Sequence, residues 1–381
     1  MKKHFNQQKL GILGGGQLGR MFIQEAVNLD VEVHILDPDP KAPCHLLASS
    51  FTCGSLKDFE TVMNFGKDLD VLTIEIEQVN AEALAELQIK GVAVYPRPEN
   101  ISLIQDKRLQ KQFYRDKGLP TADFLLIEKA EEIGRHLDFL PAFQKAGRDG
   151  YDGRGVQYLG SEADLSKALQ VPGLLEKAVN IDKEISIIIA RSPSGEIKAF
   201  PPAEMVYVPE QNLVDFLFFP ADIPAETAAE AIKLATRIVQ ELDFTGLLAV
   251  EMFVDKQQKL LVNEMAPRPH NSGHHTIEAF YTSQYAQHLR AILDLPLGGT
   301  RPKMPVAAMV NLLGEPGANG PAVYQGMDEI LKMEGVYPHL YGKKMVKPFR
   351  KMGHVTIIGT EAQEVVARAH RVKETCKVVA G

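Results

Sequence analysis

Cysteine is scarce in this chain and long apolar runs are missing. The three cysteines, at 44, 53 and 376, form no paired framework and no C-x-x-C zinc spacing. A reducing compartment, and so a cytoplasmic protein, is the simple expectation. No apolar run approaches the roughly 18–20 residues of a membrane helix, so no membrane association is expected. The N-terminal MKKHFNQQKLGILGGG opens after a few apolar residues into glycines, which reads as a first strand and not as a signal peptide. Excess positive charge is lacking too. Forty-nine acidic against 42 basic residues leave a formal charge of −7. The whole molecule therefore does not attract nucleic acid, and any anion it holds must sit in a local basic patch. There is no repeat at solenoid periods and no low-complexity segment.

What is present suits a soluble globular chain. Its 381 residues predict two or three domains. Apolar residues at 45% and charged residues at 24% exclude a mainly disordered chain, a collagen and a coiled coil. From 9 to 95 short apolar runs at Leu10–Leu13, Val31–Leu36, Val71–Glu75 and Val92–Tyr95 alternate with helical stretches. That alternation predicts an open parallel sheet. Pro96 and Pro98 mark a first boundary. Residues 101–118 read as one Lys- and Arg-rich helix, 224–242 as an amphipathic helix, and 276–293 as another. Pro296, Gly298, Gly299 and Pro302 mark a second boundary. The expected division is 1–100, 101–300 and 301–381, the tail reading as strand, helix, hairpin and final helix.

Four segments carry chemistry. Gly14-Gly15-Gly16-Gln17-Leu18-Gly19 fits G-x-G-x-x-G between a strand and a helix, with Asp37 ending the next strand. This is dinucleotide-fold spacing, yet any phosphate at a helix N-terminus would be served by it, and a bare tight turn is the bland alternative. Gly147-Arg148-Asp149-Gly150-Tyr151-Asp152-Gly153-Arg154-Gly155 holds four glycines and two arginines just after the strand-like run bearing Lys145. Bared backbone N–H groups beside positive charge predict a flap over polyphosphate. No Gly-Lys-Ser/Thr is present, so it is not a Walker A loop.

The stretch 247–265 reads as two apolar strands around a polar turn at Asp255–Lys259. With the turn centred between Gln257 and Gln258, Glu251 faces Glu264. Facing carboxylates repel, so burial must raise one pKa or a cation must lie between them. Oxygen ligands of this kind suit Mg²⁺ shared with substrate phosphates. Next comes Ala266-Pro267-Arg268-Pro269-His270-Asn271-Ser272-Gly273-His274-His275, a donor-rich loop without zinc-site partners, read as a site for a small carboxylate or bicarbonate. In the tail Lys343, Lys344, Lys347, Arg350 and Lys351 form a basic patch with no acid from 335 to 360, a candidate sugar-phosphate site beside Gly353 and His354.

Together the flap, its preceding lysine, the facing glutamates and the three-part chain resemble the ATP-grasp ligases. GGGQLGRM at 14–21, GYDGRG at 150–155 and NEMAPRPHNSGH at 263–274 are similar to the 5-(carboxyamino)imidazole ribonucleotide synthases of purine biosynthesis, in order along essentially the whole chain. The resemblance implies an α/β and α+β architecture: an N-terminal parallel-sheet, Rossmann-like domain, an ATP-grasp domain with its flap near 147–156, and a small C-terminal domain. It implies condensation of 5-aminoimidazole ribonucleotide with bicarbonate, with ATP and Mg²⁺ required and a homodimer as the usual assembly.

By the same likeness Lys107 and Lys145 would contact ATP phosphates, and Gly150, Tyr151, Asp152, Gly153, Arg154, Gly155 and Val156 would close over them. Glu176, Lys177, Ala178 and Val179 would sit at the adenine and Glu184 on the ribose. Glu251 and Glu264 would hold Mg²⁺ beside Asn263. Arg268, His270, Asn271, Ser272 and His274 would surround bicarbonate, with Asp152 also in the catalytic set. Gln17, Leu18, Glu75, Tyr151 and Asp152 would line the aminoimidazole nucleotide, with Arg350 and Lys351 on its phosphate. Two departures from the family pattern stand out, Ala146 where Thr is frequent and Gln78 where Asn is frequent. Neither removes a charge that the chemistry needs.

Three rivals remain at this point. An NAD-dependent dehydrogenase would use the glycine turn and Asp37 but leaves the other three segments without a role. Another carboxylate–amine ligase, such as a formate-using glycinamide ribonucleotide transformylase, shares the ATP machinery. A nucleotide-binding regulator without turnover would have little need of Lys145, Glu251 and Glu264.

Overall fold

The computed structural model describes residues 3–148, 150, 155–208 and 213–381, with the backbone alone at 207–208 and 213–215. Asp149, Tyr151, Asp152, Gly153 and Arg154 lie outside the described residues. The strands described form four sheets of five, nine, three and four strands.

The N-terminal sheet is parallel, in the order Ser50–Cys53, Val33–Asp37, Leu10–Leu13, Val71–Ile74, Ala93–Val94. Leu10–Leu13 and Val71–Ile74 are buried throughout, as expected of unbroken apolar strands covered on both faces. The chain runs from Leu10–Leu13 to a neighbour on one side and returns to the other side as Val71–Ile74. The switch point lies between these two strands, where open α/β sheets bind ligands. Gly14–Gly16 and Glu75 stand at their C-terminal ends. The edge strand Ser50–Cys53 was not foreseen, because three of its four residues are exposed and it has no apolar run.

Residues 101–118 are not one helix. Helix Pro98–Ile104 ends at Gln105, and a second helix, Lys107–Asp116, begins after Asp106. The Asp106 carboxylate accepts the Arg108 N–H and so caps a new N-terminus. Residues 276–293 are likewise divided, into Thr276–Ala279 and Gln284–Ile292. Phe280 bridges to Pro302, and Ser283 caps the second piece by accepting the Ala286 N–H.

The four-stranded antiparallel sheet runs Phe124–Ile127, Gly173–Lys177, Ala142–Ala146, Val156–Leu159. The nine-stranded sheet is built on Ile181–Arg191, Gly246–Asp255 and Leu260–Ala266 and continues into the tail, where Phe216 pairs with Val310 and Val310 with Val355. A strand at Lys377–Ala380, beyond the final helix Ala362–Thr375, pairs with Gly320–Gln325 and was also not foreseen.

Helix Ala225–Glu241 lies over the nine-stranded sheet. Its buried Ala231, Leu234, Ala235, Ile238 and Val239 share a core with Ile185, Ile187 and Ile189 of the strand Ile181–Arg191. Ile187→Ala should cost about 2–5 kcal/mol, the usual range for truncating a fully buried aliphatic side chain. The expected outcome is a lower midpoint in urea unfolding. An unchanged midpoint would show that this strand does not anchor the core.

Candidate active site

The glycine turn is already filled by carboxylates. Glu75 accepts the Gly16 and Leu18 N–H groups, each at 2.9 Å, and Asp37 accepts the Gly15 N–H at 2.7 Å. A Cβ at Gly16 would lie 2.5 Å from the Glu75 carboxylate, so a side chain there would push that carboxylate off its N–H bonds. The N–H groups at the start of helix Gln17–Asn28, which a dinucleotide pyrophosphate would need, are thus engaged by Glu75. Burial pushes the Glu75 carboxyl up, opposed by those two N–H bonds and by the Arg268 charge.

Glu251 does face Glu264 across the turn at Asp255–Lys259, although that turn centres on Gln257 and not between Gln257 and Gln258. Asp255 N–H bonds to the Lys259 carbonyl, and Met252 pairs with Val262. A bulge then inserts Asn263, after which Glu251 pairs with Glu264. In an unbroken strand neighbouring side chains alternate faces. Here the bulge lets Asn263 and Glu264 line one small cavity together with Lys107, Lys111 and Lys145. Lys107 forms an ion pair with Glu264 and holds its carboxyl well below the usual range. Burial and the facing Glu264 push Glu251 up, and the charge of Glu184 adds to this. The repulsion inferred from the sequence is therefore met within the protein by a lysine.

Helix Lys107–Asp116 presents Lys107 and Lys111, four residues apart, on one face. Lys145 donates to Glu176 at 2.7 Å and to Asn263 at 3.0 Å. Lys111 pairs with the other Glu176 oxygen. Burial pulls the Lys111 ammonium down to about 8 while Glu176 acts in the opposite sense. The Glu176 carboxylate thus faces lysines. Its neighbours form the crossing into the nine-stranded sheet: Lys177 Nζ donates to the Phe139 and Leu140 carbonyls, Ala178 N–H to Pro141, and the Val179 carbonyl accepts from Ile181. At the flap's base Val156 pairs with Lys145, and the Gly155 carbonyl accepts the Ala146 N–H. Gly150 is described, but the flap between Gly150 and Gly155 is not.

The donor loop is packed and not solvated. Arg268 forms an ion pair with Glu77 at 2.9 Å, reaching from the ATP-grasp segment to the N-terminal one. His270 accepts the Ser272 N–H at Nδ1, which leaves its Nε2 to carry the proton toward Glu251, 3.5 Å away. Ser272 Oγ lies 2.7 Å from Ser186 Oγ. His274 is buried against Gln284 and Tyr285, and burial lowers its pKa far enough to keep it neutral. Among the described residues Arg268 Nε and Asn271 Oδ1 are buried without hydrogen-bond partners.

In the tail the Arg350 guanidinium donates to the Met345 carbonyl, and Lys343 Nζ to the Lys351 carbonyl. The Lys351 charge also acts on Glu251. Lys111 and Glu77 were not singled out from the sequence. The four-residue step from Lys107 is the one signal that pointed to Lys111.

The comparisons with known proteins cover most of the chain. The ribonucleotide synthetase preATP-grasp domain matches residues 7–105, the ATP-grasp domain 112–285, and the phosphoribosylaminoimidazole carboxylase C-terminal domain 307–368. The chain is 38% identical to N5-carboxyaminoimidazole ribonucleotide synthase of Synechococcus elongatus, over 92% of its own length and 89% of that protein. It is 36% identical to phosphoribosylaminoimidazole carboxylase of Vigna aconitifolia, over 93% of its own length but spanning only 65% of that longer relative. Among solved structures, N5-carboxyaminoimidazole ribonucleotide synthetase from Thermotoga maritima superposes with a TM-score of 0.91 at 39% identity, covering 98% of this chain and 100% of that one. The Aspergillus clavatus N5-carboxyaminoimidazole synthase, in complex with ADP and 5-aminoimidazole ribonucleotide, gives 0.88 at 30% identity, with 97% and 99% covered.

Proposed function

This chain belongs to the N5-carboxyaminoimidazole ribonucleotide synthase family of ATP-grasp enzymes, and from that membership we propose that it carboxylates the amino group of 5-aminoimidazole ribonucleotide with bicarbonate in purine biosynthesis, splitting ATP to ADP and phosphate. One convergence carries this reading. The facing Glu251 and Glu264, the lysines 107 and 145, and the loop Arg268–His274 meet at one place beside the switch point of the N-terminal sheet.

The two facing carboxylates suit Mg²⁺. Among the described residues no group of three or more His, Cys, Asp or Glu is arranged to hold a metal ion by itself. Two carboxylates leave coordination positions for phosphate oxygens and water, which is how Mg²⁺ is usually held in phosphoryl-transfer sites. Held by Glu251 and Glu264, Mg²⁺ would offset charge on the transferring phosphoryl group.

In the reaction a bicarbonate oxygen attacks the γ-phosphorus of ATP and ADP leaves. The resulting carboxyphosphate delivers its carboxyl carbon, directly or as CO₂ held in place, to the amine, which loses a proton as phosphate departs. Lys107 and Lys145 would bear on the ATP phosphates. The buried Arg268 Nε–H and Asn271 Oδ1 are one donor and one acceptor, matched to an anion that also carries a hydroxyl. Neutral His274 donates and accepts without adding charge. Glu75 would face the aminoimidazole nucleotide together with Gln17 and Leu18, and the flap residues 150–156 would keep water from the labile intermediate. We further assign the chain to the cytoplasm as a homodimer, with domains at 1–100, 101–300 and 301–381.

Phosphate release from Mg-ATP with 5-aminoimidazole ribonucleotide, with and without bicarbonate, tests the reaction. Release that ignores bicarbonate, or a response to formate and glycinamide ribonucleotide instead, would replace this reading. The tail gives a second test. Arg350→Ala should raise the KM for the aminoimidazole nucleotide by about tenfold or more, the usual effect of losing a charge-assisted bond, and leave the KM for ATP alone. Lys351→Ala should affect both, because its charge acts on Glu251 as well. An unchanged nucleotide KM in both variants would remove the tail from the substrate site.

A further inference from the structure

We propose that Lys111 is a positioning residue of the nucleotide site, holding one oxygen of Glu176 so that Lys145, bonded to the other, presents net positive charge to the ATP phosphates. The inference rests on the ATP-dependent reading above and adds a residue to it.

Lys111 is 3% exposed and Glu176 2% exposed, so neither charge is there for solubility. A buried carboxylate paired with one lysine would form a closed, neutral unit. Glu176 instead carries two, Lys111 on Oε2 and Lys145 on Oε1. The trio keeps one positive charge in an interior where charges are weakly screened. Lys111 is fixed from behind: its ammonium bonds to Thr121 Oγ1, and that hydroxyl donates to the Val262 carbonyl at 2.7 Å, next to the Asn263 bulge. Lys145 in turn touches Asn263 at 3.0 Å, and both lysines line the cavity with Lys107 and Glu264. Lys111 therefore ties the helix Lys107–Asp116, the strand carrying Glu176 and the glutamate hairpin into one frame for Lys145. Without its charge, Glu176 would neutralise Lys145 and hold it back from phosphate.

The test measures Mg-ADP affinity by calorimetry in the unaltered protein, in Lys111→Met, and in Lys111→Met combined with Glu176→Gln. Thermal unfolding of each reports folding, and the KM for the aminoimidazole nucleotide is measured alongside. Lys111→Met should weaken Mg-ADP by about tenfold or more, since one charge-assisted contact is at stake. The double variant again leaves Lys145 as the one surplus positive charge of the trio, and it should regain most of the affinity. The KM for the aminoimidazole nucleotide should stay level in both. Unchanged Mg-ADP binding in Lys111→Met would overturn the inference. So would equal weakness in the single and double variants, which would mean that Lys111 serves packing alone. Failure of the unaltered protein to bind Mg-ADP would overturn the ATP-dependent reading itself, and this inference with it.

Discussion

Glu264→Gln should abolish ATP turnover, and Glu251→Gln should reduce it by about 10²–10³-fold, the scale on which single electrostatic groups at a reacting centre act. The two carboxylates are opposite each other on adjacent strands, and their repulsion is relieved by Lys107 on Glu264. Glu264→Gln removes a proposed metal ligand and also sets Lys107 loose from its partner, so two groups proposed to handle phosphate are disturbed at once. Glu251→Gln removes one proposed ligand. Because burial and Glu264 push the Glu251 carboxyl up, glutamine there resembles its protonated form and relieves repulsion. Its thermal midpoint should therefore hold or rise while turnover falls. That divergence separates loss of function from loss of fold. Near-normal phosphate release by both variants at modest Mg²⁺ would defeat the metal assignment.

Arg268→Met should lower bicarbonate-dependent turnover by about 10²–10³-fold and leave Mg-ADP affinity close to its original value. Arg268 belongs to the donor loop, its Nε is buried without a partner among the described residues, and it is aimed by Glu77. It is not among the described residues that line the lysine cavity, so binding and chemistry should part company. Glu77→Gln should follow in the same direction with a smaller loss, because it alters only how Arg268 is held. Mg-ADP affinity falling in step with turnover in Arg268→Met would place the arginine on the nucleotide instead.

The parts of the site that are continuous in sequence were the legible ones. The glycine turn, the hairpin and the donor loop each carry their own pattern, and the likeness to ATP-grasp ligases followed from their order. What was hidden depends on partners far along the chain. Nothing near Lys111 reveals Glu176, 65 positions on, and nothing near Glu77 reveals Arg268. A run of basic residues concealed the cap at Asp106, because helical charge patterning continues across a break that one carboxylate makes. The tail was read as a separate piece, since sequence cannot show that Val306–Leu313 and Lys351–Gly359 extend a sheet begun a hundred residues earlier. The pairing of Glu251 with Glu264 was reached from a register one residue off next to the turn, and the bulge restored it.

That bulge has a consequence for insertions and deletions. Losing one residue from a strand ordinarily shifts its register and turns every side chain beyond the gap to the wrong face. Asn263 is one residue more than the ladder requires, since Met252 pairs with Val262 on one side of it and Glu251 with Glu264 on the other. A chain lacking Asn263 would still bring Glu264 opposite Glu251 and Met265 opposite Val250. The sheet would close over the gap, and what would vanish is the amide that Lys145 touches. At this position alone on the hairpin, shortening the backbone is equivalent to deleting a side chain.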